Sequence, residues 1–386
     1  MYRFLVYIIL FAIASSFLSS CKSTAIPVDF TYTRTPLIPV KYRGITEYST
    51  EAQLLYENQI QAIEAGYEKE VEFARLKYQQ ELKQFQERTL AERVLQQTPE
   101  PQLELPPAPT LPFRHNTEEL ASHLKVAGMT RGEIQPVRIV LQVDAFEFTD
   151  LKLNVNTRKR KKDGIEIIDS TYNYTSRIKQ DLAIYAKTPF GEEYHEFIPE
   201  TQKHRLIRGS VASDTLTAYN NMMVELQSRE RNLVYDNIIH VNDLLNSLFA
   251  TVEVNYKVEL HEPKNTNKHD YSDIARGVQL AKNGLNSIKS NPNEAIESMN
   301  EAYVIWQNAF QEFSRTGKGR MTTDVTKAVM KNLILVSIFT ENWDGALYFK
   351  NELKRFKLSG KDRRDLAALD EKYHDLRSRY EALSGK

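Results

Sequence analysis

From Thr50 to Gln97 the chain has no proline and one glycine, Gly66, and its apolar residues return every eleven positions. The sets are Tyr56, Ile60 and Ile63; then Tyr67, Val71 and Ala74; then Tyr78, Leu82 and Phe85. Within each set the spacing is four, then three. Eleven residues in three turns is 3.67 per turn, so one apolar stripe runs almost straight along a helix. The spacing predicts a single long amphipathic helix over 48–98, reaching about 70 Å at 1.5 Å per residue. A stripe of that length needs a partner surface, which a second copy, another protein or the rest of this chain would supply. The first two make Tyr56, Tyr67, Tyr78, Ile60, Val71 and Leu82 the interface candidates, with self-association running through 50–97.

The stripe is bounded on both sides. Residues 21–47 read as an extended tether with one short strand, where Val28, Phe30 and Tyr32 alternate with Asp29, Thr31 and Thr33. Pro36, Pro39 and Gly44 argue against a helix there. Beyond the stripe, 99–113 holds Pro99, Pro101, Pro106, Pro107, Pro109 and Pro112, six of the chain's 14 prolines. Such a stretch favours extended polyproline II and reads as a stiff spacer.

The next segment, 114–265, reads as α+β: a mostly antiparallel sheet covered on one face by helices. A short helix is expected over Thr117–Val126. Strands are expected where Val137, Ile139, Leu141 and Val143 fall at period two, and again at Leu151, Leu153 and Val155. Asp163-Gly164, between Lys162 and Ile165, is a hairpin signal. The preceding run Arg158-Lys159-Arg160-Lys161-Lys162 reads as its solvated basic tip. Leu182–Ala186, Tyr194–Ile198 and Val252–Leu260 are further strands. Two helices are expected between them, one capped at Ser213-Asp214 and running through Leu226, the other over Leu233–Phe249.

Residues 266–386 read as five helices: Tyr271–Ser290, Asn293–Ser314, Thr322–Thr340, Trp343–Phe356 and Lys361–Leu383. Ala295, Met299 and Ala302 sit at spacings of four and three. Asn332-Leu333 followed by Asn342-Trp343-Asp344-Gly345-Ala346 reads as a helix, a tight turn and the start of the next helix. On these residues the segment resembles tetratricopeptide repeats, about two degenerate copies of them. The resemblance implies a helical stack that binds peptide segments or partner helices in a groove. Two positions depart from the pattern: Lys350 stands where the family prefers an aromatic, and Ile334 where it prefers glycine. Trp306 and Trp343 read as core residues.

The first 21 residues concern location. Met1-Tyr2-Arg3 gives a short positive start, and an apolar run extends from Phe4 to Phe17. This reads as a secretory signal over 1–20, too short and wrongly flanked for a membrane span. Leu18-Ser19-Ser20-Cys21 resembles the lipobox of bacterial lipoproteins, in which the cysteine is acylated and becomes the mature N-terminus. Cys21 is also the only cysteine in the chain. Lys22 does not match the inner-membrane retention signal, and no acidic cluster follows Cys21. By resemblance to Bacteroidetes-type lipoproteins, the chain is expected on the outer membrane, facing the periplasm. The lipid is its expected membrane contact.

Composition excludes little beyond this. The charges balance, with 51 basic and 51 acidic residues, so no basic footprint for nucleic acid is present. His195-Glu196 lacks the second histidine of a zinc-protease helix, and Gly317-Lys318-Gly319-Arg320 lacks phosphate-loop spacing. No Gly-x-Ser-x-Gly elbow occurs. Neither a cofactor nor a metal is expected. The expectation is therefore a multidomain α+β protein without catalysis, an anchored scaffold that binds envelope proteins through its repeat-like segment and long helix. A glycan- or nutrient-binding lipoprotein is the alternative, and a cell-wall hydrolase with paired carboxylates is the next.

Overall fold

The computed structural model describes residues 23–87, 99–162, 165–314 and 319–385. The signal segment, Cys21 and the last part of the expected long helix, 88–98, lie outside the described residues. The chain forms a mixed α+β structure. Among the described residues it holds ten strands and eight α-helices. It divides into two compact units. One joins the chain up to Pro39 with Asn246–Lys386, and the other is Val40–Leu245. The linear segments drawn from sequence do not coincide with these units, because the stretch read as a tether belongs with the C-terminal helices.

In the first unit, β1 (Ser23–Arg34) pairs antiparallel with β10 (Val252–Pro263) along its whole length, from Ser23 opposite Pro263 to Arg34 opposite Val252. The short strand read from Val28, Phe30 and Tyr32 is thus one half of a twelve-residue ribbon. Val28, Phe30, Val258 and Leu260 turn one face of the ribbon into the core. Five helices follow: α4 (Ser272–Ser287), α5 (Pro292–Gln311), α6 (Thr323–Phe339), α7 (Trp343–Lys354) and α8 (Gly360–Ser384). All five stand within a few residues of their sequence expectations. Each packs on the next, and α8 also packs on α6.

The α4–α5 contact depends on small residues. A Cβ on Gly277 would meet Trp306 Nε1 at 2.6 Å, and one on Gly284 would meet the Ala295 carbonyl at 2.8 Å. Trp306 is fully buried and donates from Nε1 to the Ile274 carbonyl. Arg379, also buried, donates to the Thr35 and Ser247 carbonyls at 2.6 and 2.8 Å, which ties α8 to two distant stretches of chain.

The second unit is built on a five-stranded sheet of order β3-β2-β4-β7-β8. Its strands are β2 (Glu47–Leu54), β3 (Thr130–Arg131), β4 (Val137–Val143), β7 (Leu182–Lys187) and β8 (Glu193–Phe197). The sheet is mixed rather than mostly antiparallel, since β2 runs parallel to both β3 and β4. Parallel neighbours need a crossover connection. Here that crossover carries α1 (Glu57–Glu87) and α2 (Thr117–His123). Residues 48–54, read as the start of the long helix, are therefore strand. Their alternation explains it: Tyr48 and Leu54 are buried, with Glu51 and Gln53 exposed.

A second sheet of order β5-β6-β9 uses β5 (Glu147–Lys162), β6 (Ile165–Lys179) and β9 (Arg205–Arg208). The basic run expected at the hairpin tip lies within the ladder instead, up to Lys162 opposite Ile165. Arg160 pairs there with Asp169, and Lys159 with Glu166. The two helices expected after Ser213 are one continuous helix, α3 (Thr215–Phe249). The polar run Ser228–Asn232, which resembled a break in the sequence, is an exposed turn of that helix, and Leu226 and Leu233 resume the buried face with Ile178, Ile207 and Met222.

The stripe of α1 shows what covers it. Tyr56 and Ile60 are buried, while Tyr67, Val71, Tyr78 and Leu82 are half-buried. The proline-rich stretch, expected as a spacer, touches the helix: Tyr56 Oη donates to the Phe113 carbonyl at 2.8 Å, and Tyr67 Oη to the Pro106 carbonyl at 3.3 Å. Arg114 adds ion pairs to Glu57 and Glu64.

Candidate functional site

The first unit contains a cleft of about 540 Å³ between the exposed face of the β1–β10 ribbon and α8, with α6 at its base. The ribbon supplies Pro27, Asp29, Lys257, Glu259 and His261. Helix α6 supplies Lys331 and Leu335, and α8 supplies Arg364, Asp365, Leu369 and Lys372. These residues share a face for a simple reason. Register places Asp29 opposite Lys257, Pro27 opposite Glu259 and Ala25 opposite His261, so the odd-numbered residues of both strands point one way and the core residues the other.

An ion cluster forms the base. Lys331, 6 % exposed, donates to Asp362 at 2.7 Å and Asp365 at 2.6 Å. Lys327 reaches Asp362 at 3.2 Å. Ser359 caps α8 and exchanges hydrogen bonds with Asp362 in a capping box. Burial alone would raise the Asp362 pKa. The bonds from Lys331 and Ser359 outweigh it and hold this carboxyl well below the usual carboxylate range. His261 is pushed down to about 4, first by burial and then by the Lys331 ammonium. It is therefore neutral at pH 7.

Asn332 sits fully buried one residue along α6. Its Oδ1 accepts from the His261 N–H and its Nδ2 donates to the His261 carbonyl, both at 2.8 Å. A side-chain amide carries the same donor–acceptor pair as a peptide group, so Asn332 takes the place of one residue of a neighbouring strand.

Around the mouth the charges are unevenly committed. Glu259 is paired with Lys361 at 3.2 Å, and Asp365 with Lys331. Lys257 and Arg364 have no carboxylate partner among the described residues, and Lys372 meets only the Tyr256 ring, at 5.9 Å. Asp29 is the one uncommitted carboxylate lining the cleft. Three free cations over an apolar floor of Leu335 and Leu369 suit a ligand with negative charge.

Most residues singled out in the sequence lie elsewhere. Tyr67, Tyr78, Ile60, Val71 and Leu82 are on α1 in the second unit and Tyr56 stands just before it, with Tyr56 and Ile60 buried within the chain. Trp306 offers no ring face to solvent; Trp343 is half-buried and packs against Tyr373 and Tyr380. His195 Nε2 lies 3.0 Å from Gln142 Oε1. Among the described residues no group of three or more His, Cys, Asp or Glu converges as a metal would require. No helix among them is long and apolar enough to cross a membrane. In the sequence Asn332 stands out only as part of the repeat pattern, and Lys331, Asp362 and Asp365 carry no motif. Lys331 inside the run Val329–Leu335, apolar but for it and Asn332, is the available signal, because a lysine there must find carboxylates or stay out of the core.

Compared with family models, curated proteins and solved structures, the chain matches none.

Proposed function

We propose that this protein is a non-catalytic, lipid-anchored adaptor of a bacterial outer membrane, acylated at Cys21, which binds a protein partner through the cleft of its helical unit. The cleft itself carries the reading: it is floored by apolar residues and rimmed by Lys257, Arg364 and Lys372, none of which has a carboxylate partner among the described residues. The tetratricopeptide resemblance adds support. Ala295, Met299 and Ala302 are all fully buried at the helix–helix contact, as small and large residues at those positions would be. Lys350, at the position the family fills with an aromatic, is buried, bonds to Asp370 at 2.6 Å and lies over the Tyr373 ring. A lysine can therefore occupy that position without opening the stack. The ion cluster of Lys331, Asp362 and Asp365 is internally neutralised, which suits a structural base better than acid–base chemistry.

The test is crosslinking of the full-length chain in its native membrane, with recovered proteins identified by mass spectrometry. A defined partner set is expected for the natural chain, and its loss for an Arg364→Glu/Lys372→Glu variant. Recovery of the chain alone overturns the adaptor reading and favours a small glycan or nutrient ligand.

A further inference from the structure

Among the described residues β10 has one strand partner, β1, which leaves its other edge open. In an antiparallel ladder the backbone N–H and C=O of alternate residues point to the same side. His261 gives both of its groups to Asn332, on the side away from β1. The alternation turns the N–H and C=O of Glu259 and Lys257 to that same side. Pro27, which has no N–H to give, stands opposite Glu259, as expected where the backbone groups of a pair point away from each other's strand. No hydrogen bond to the outward groups of Lys257 or Glu259 occurs among the described residues. Both residues line the cleft.

Open edges of this kind are normally blunted or covered. Here Asn332 closes the edge at His261, and the cleft begins where that closure stops. The two outward residues offer two donors and two acceptors at strand spacing. The charges beside them favour one sign of ligand, since Lys257, Arg364 and Lys372 are uncommitted and only Asp29 opposes them.

We infer that an extended, acidic segment of a partner protein adds to the open edge of β10 as a further strand, its backbone bonded to Lys257 and Glu259 and its carboxylates facing Arg364 and Lys372. This inference rests on the adaptor reading and specifies how the partner is held. Main-chain bonding supplies affinity in strand addition, and side chains at every second position supply specificity. Asn332 ends the pairing at His261, so it also sets the register.

The experiment uses the full-length chain and a fluorescein-labelled heptapeptide of alternating glutamate and valine, followed by fluorescence polarisation. Binding is expected. It should weaken by about tenfold in Arg364→Glu/Lys372→Glu and be absent for a lysine–valine peptide. The decisive comparison is between two peptides N-methylated at alternate residues in the two possible phases. One phase should abolish binding, because it removes the donors facing β10, and the other should leave it intact. Equal binding by both phases overturns strand addition while leaving the cleft a binding site. Failure of every peptide, with partners still recovered in the membrane crosslinking, overturns this inference and spares the adaptor reading. A concentration-dependent dimer lost in the same double variant also overturns it, because a second copy then occupies the edge.

Discussion

Helices α6 and α1 are opposite solutions to the burial of a helix. In α6 every residue from Ala328 to Phe339 is buried, including Lys331, Asn332 and Ser337. In α1 one stripe is covered and the remaining faces meet solvent; Phe73 is 69 % exposed and Leu76 51 %. In a helix surrounded on all sides a polar side chain can be satisfied only inside the protein, as Lys331 and Asn332 are, and these two become fixed points of the fold, while the Ser337 hydroxyl has no partner among the described residues. A helix covered on one stripe needs only something to lie along it, and in α1 the proline-rich stretch does part of that. The contrast teaches that polar residues are informative when their surroundings leave them no water. This is why the candidate site formed beside α6.

The largest effect that would break this contrast is a cavity. Leu333→Ala in α6 should cost about 4 kcal/mol, whereas Val71→Ala on the half-buried stripe of α1 should cost under about 1 kcal/mol. Denaturant midpoints of the two variants measure the difference, and equal losses would mean the two helices are equally packed. Next, Lys331→Met strands Asp365 without its ammonium, leaves Asp362 only Lys327, and should cost about 3 kcal/mol at pH 7. Part of that loss should return in Lys331→Met/Asp362→Asn, read by the same unfolding curves.

A pH effect of about 3 kcal/mol is expected from His261. Its folded pKa of about 4 lies below the ordinary 6.5, so the folded state holds the neutral ring and the unfolded chain takes the proton first. Stability is therefore complete above pH 6.5 and falls as the pH drops from 6.5 toward 4. His261→Gln should flatten the profile in that window relative to the natural chain. Below that window, Asp362 adds a further acid loss, since its depressed pKa stabilises only while the carboxylate is ionised. His115, buried with its pKa also lowered, slopes the same way, so only the difference between the two chains isolates His261. The smallest effect is on α1. Tyr67→Phe removes one hydroxyl bond to the Pro106 carbonyl and should cost about 0.5 kcal/mol. A cost above about 2 kcal/mol would mean that the proline-rich stretch is as integral to its unit as α6 is to the other.

Legibility followed the same division. The five helices after residue 270 were readable because each has its own apolar period, separated by short polar breaks, and β4 because Val137, Ile139, Leu141 and Val143 alternate cleanly. Strand β2 was not separated from α1, because Tyr56 begins the eleven-residue period only two residues after Leu54 ends the period of two. The site was nearly invisible. Lys257, Arg364 and Lys372 come from two distant stretches, and nothing local marks a lysine that lacks a partner. The open edge of β10 is still less readable, because it depends on which side of a strand one asparagine 71 residues later binds.

The β1–β10 ribbon also orders events in time. Its strands meet only after the whole of Val40–Leu245 has been made, so β1 emerges before its partner and waits for it unpaired. Contacts this far apart in sequence close slowly, and a waiting strand with Val28, Phe30 and Tyr32 along it is an aggregation hazard. Arg379 fastens Thr35 and Ser247 only once α8 is in place, so this unit cannot be finished until the chain has been made as far as α8.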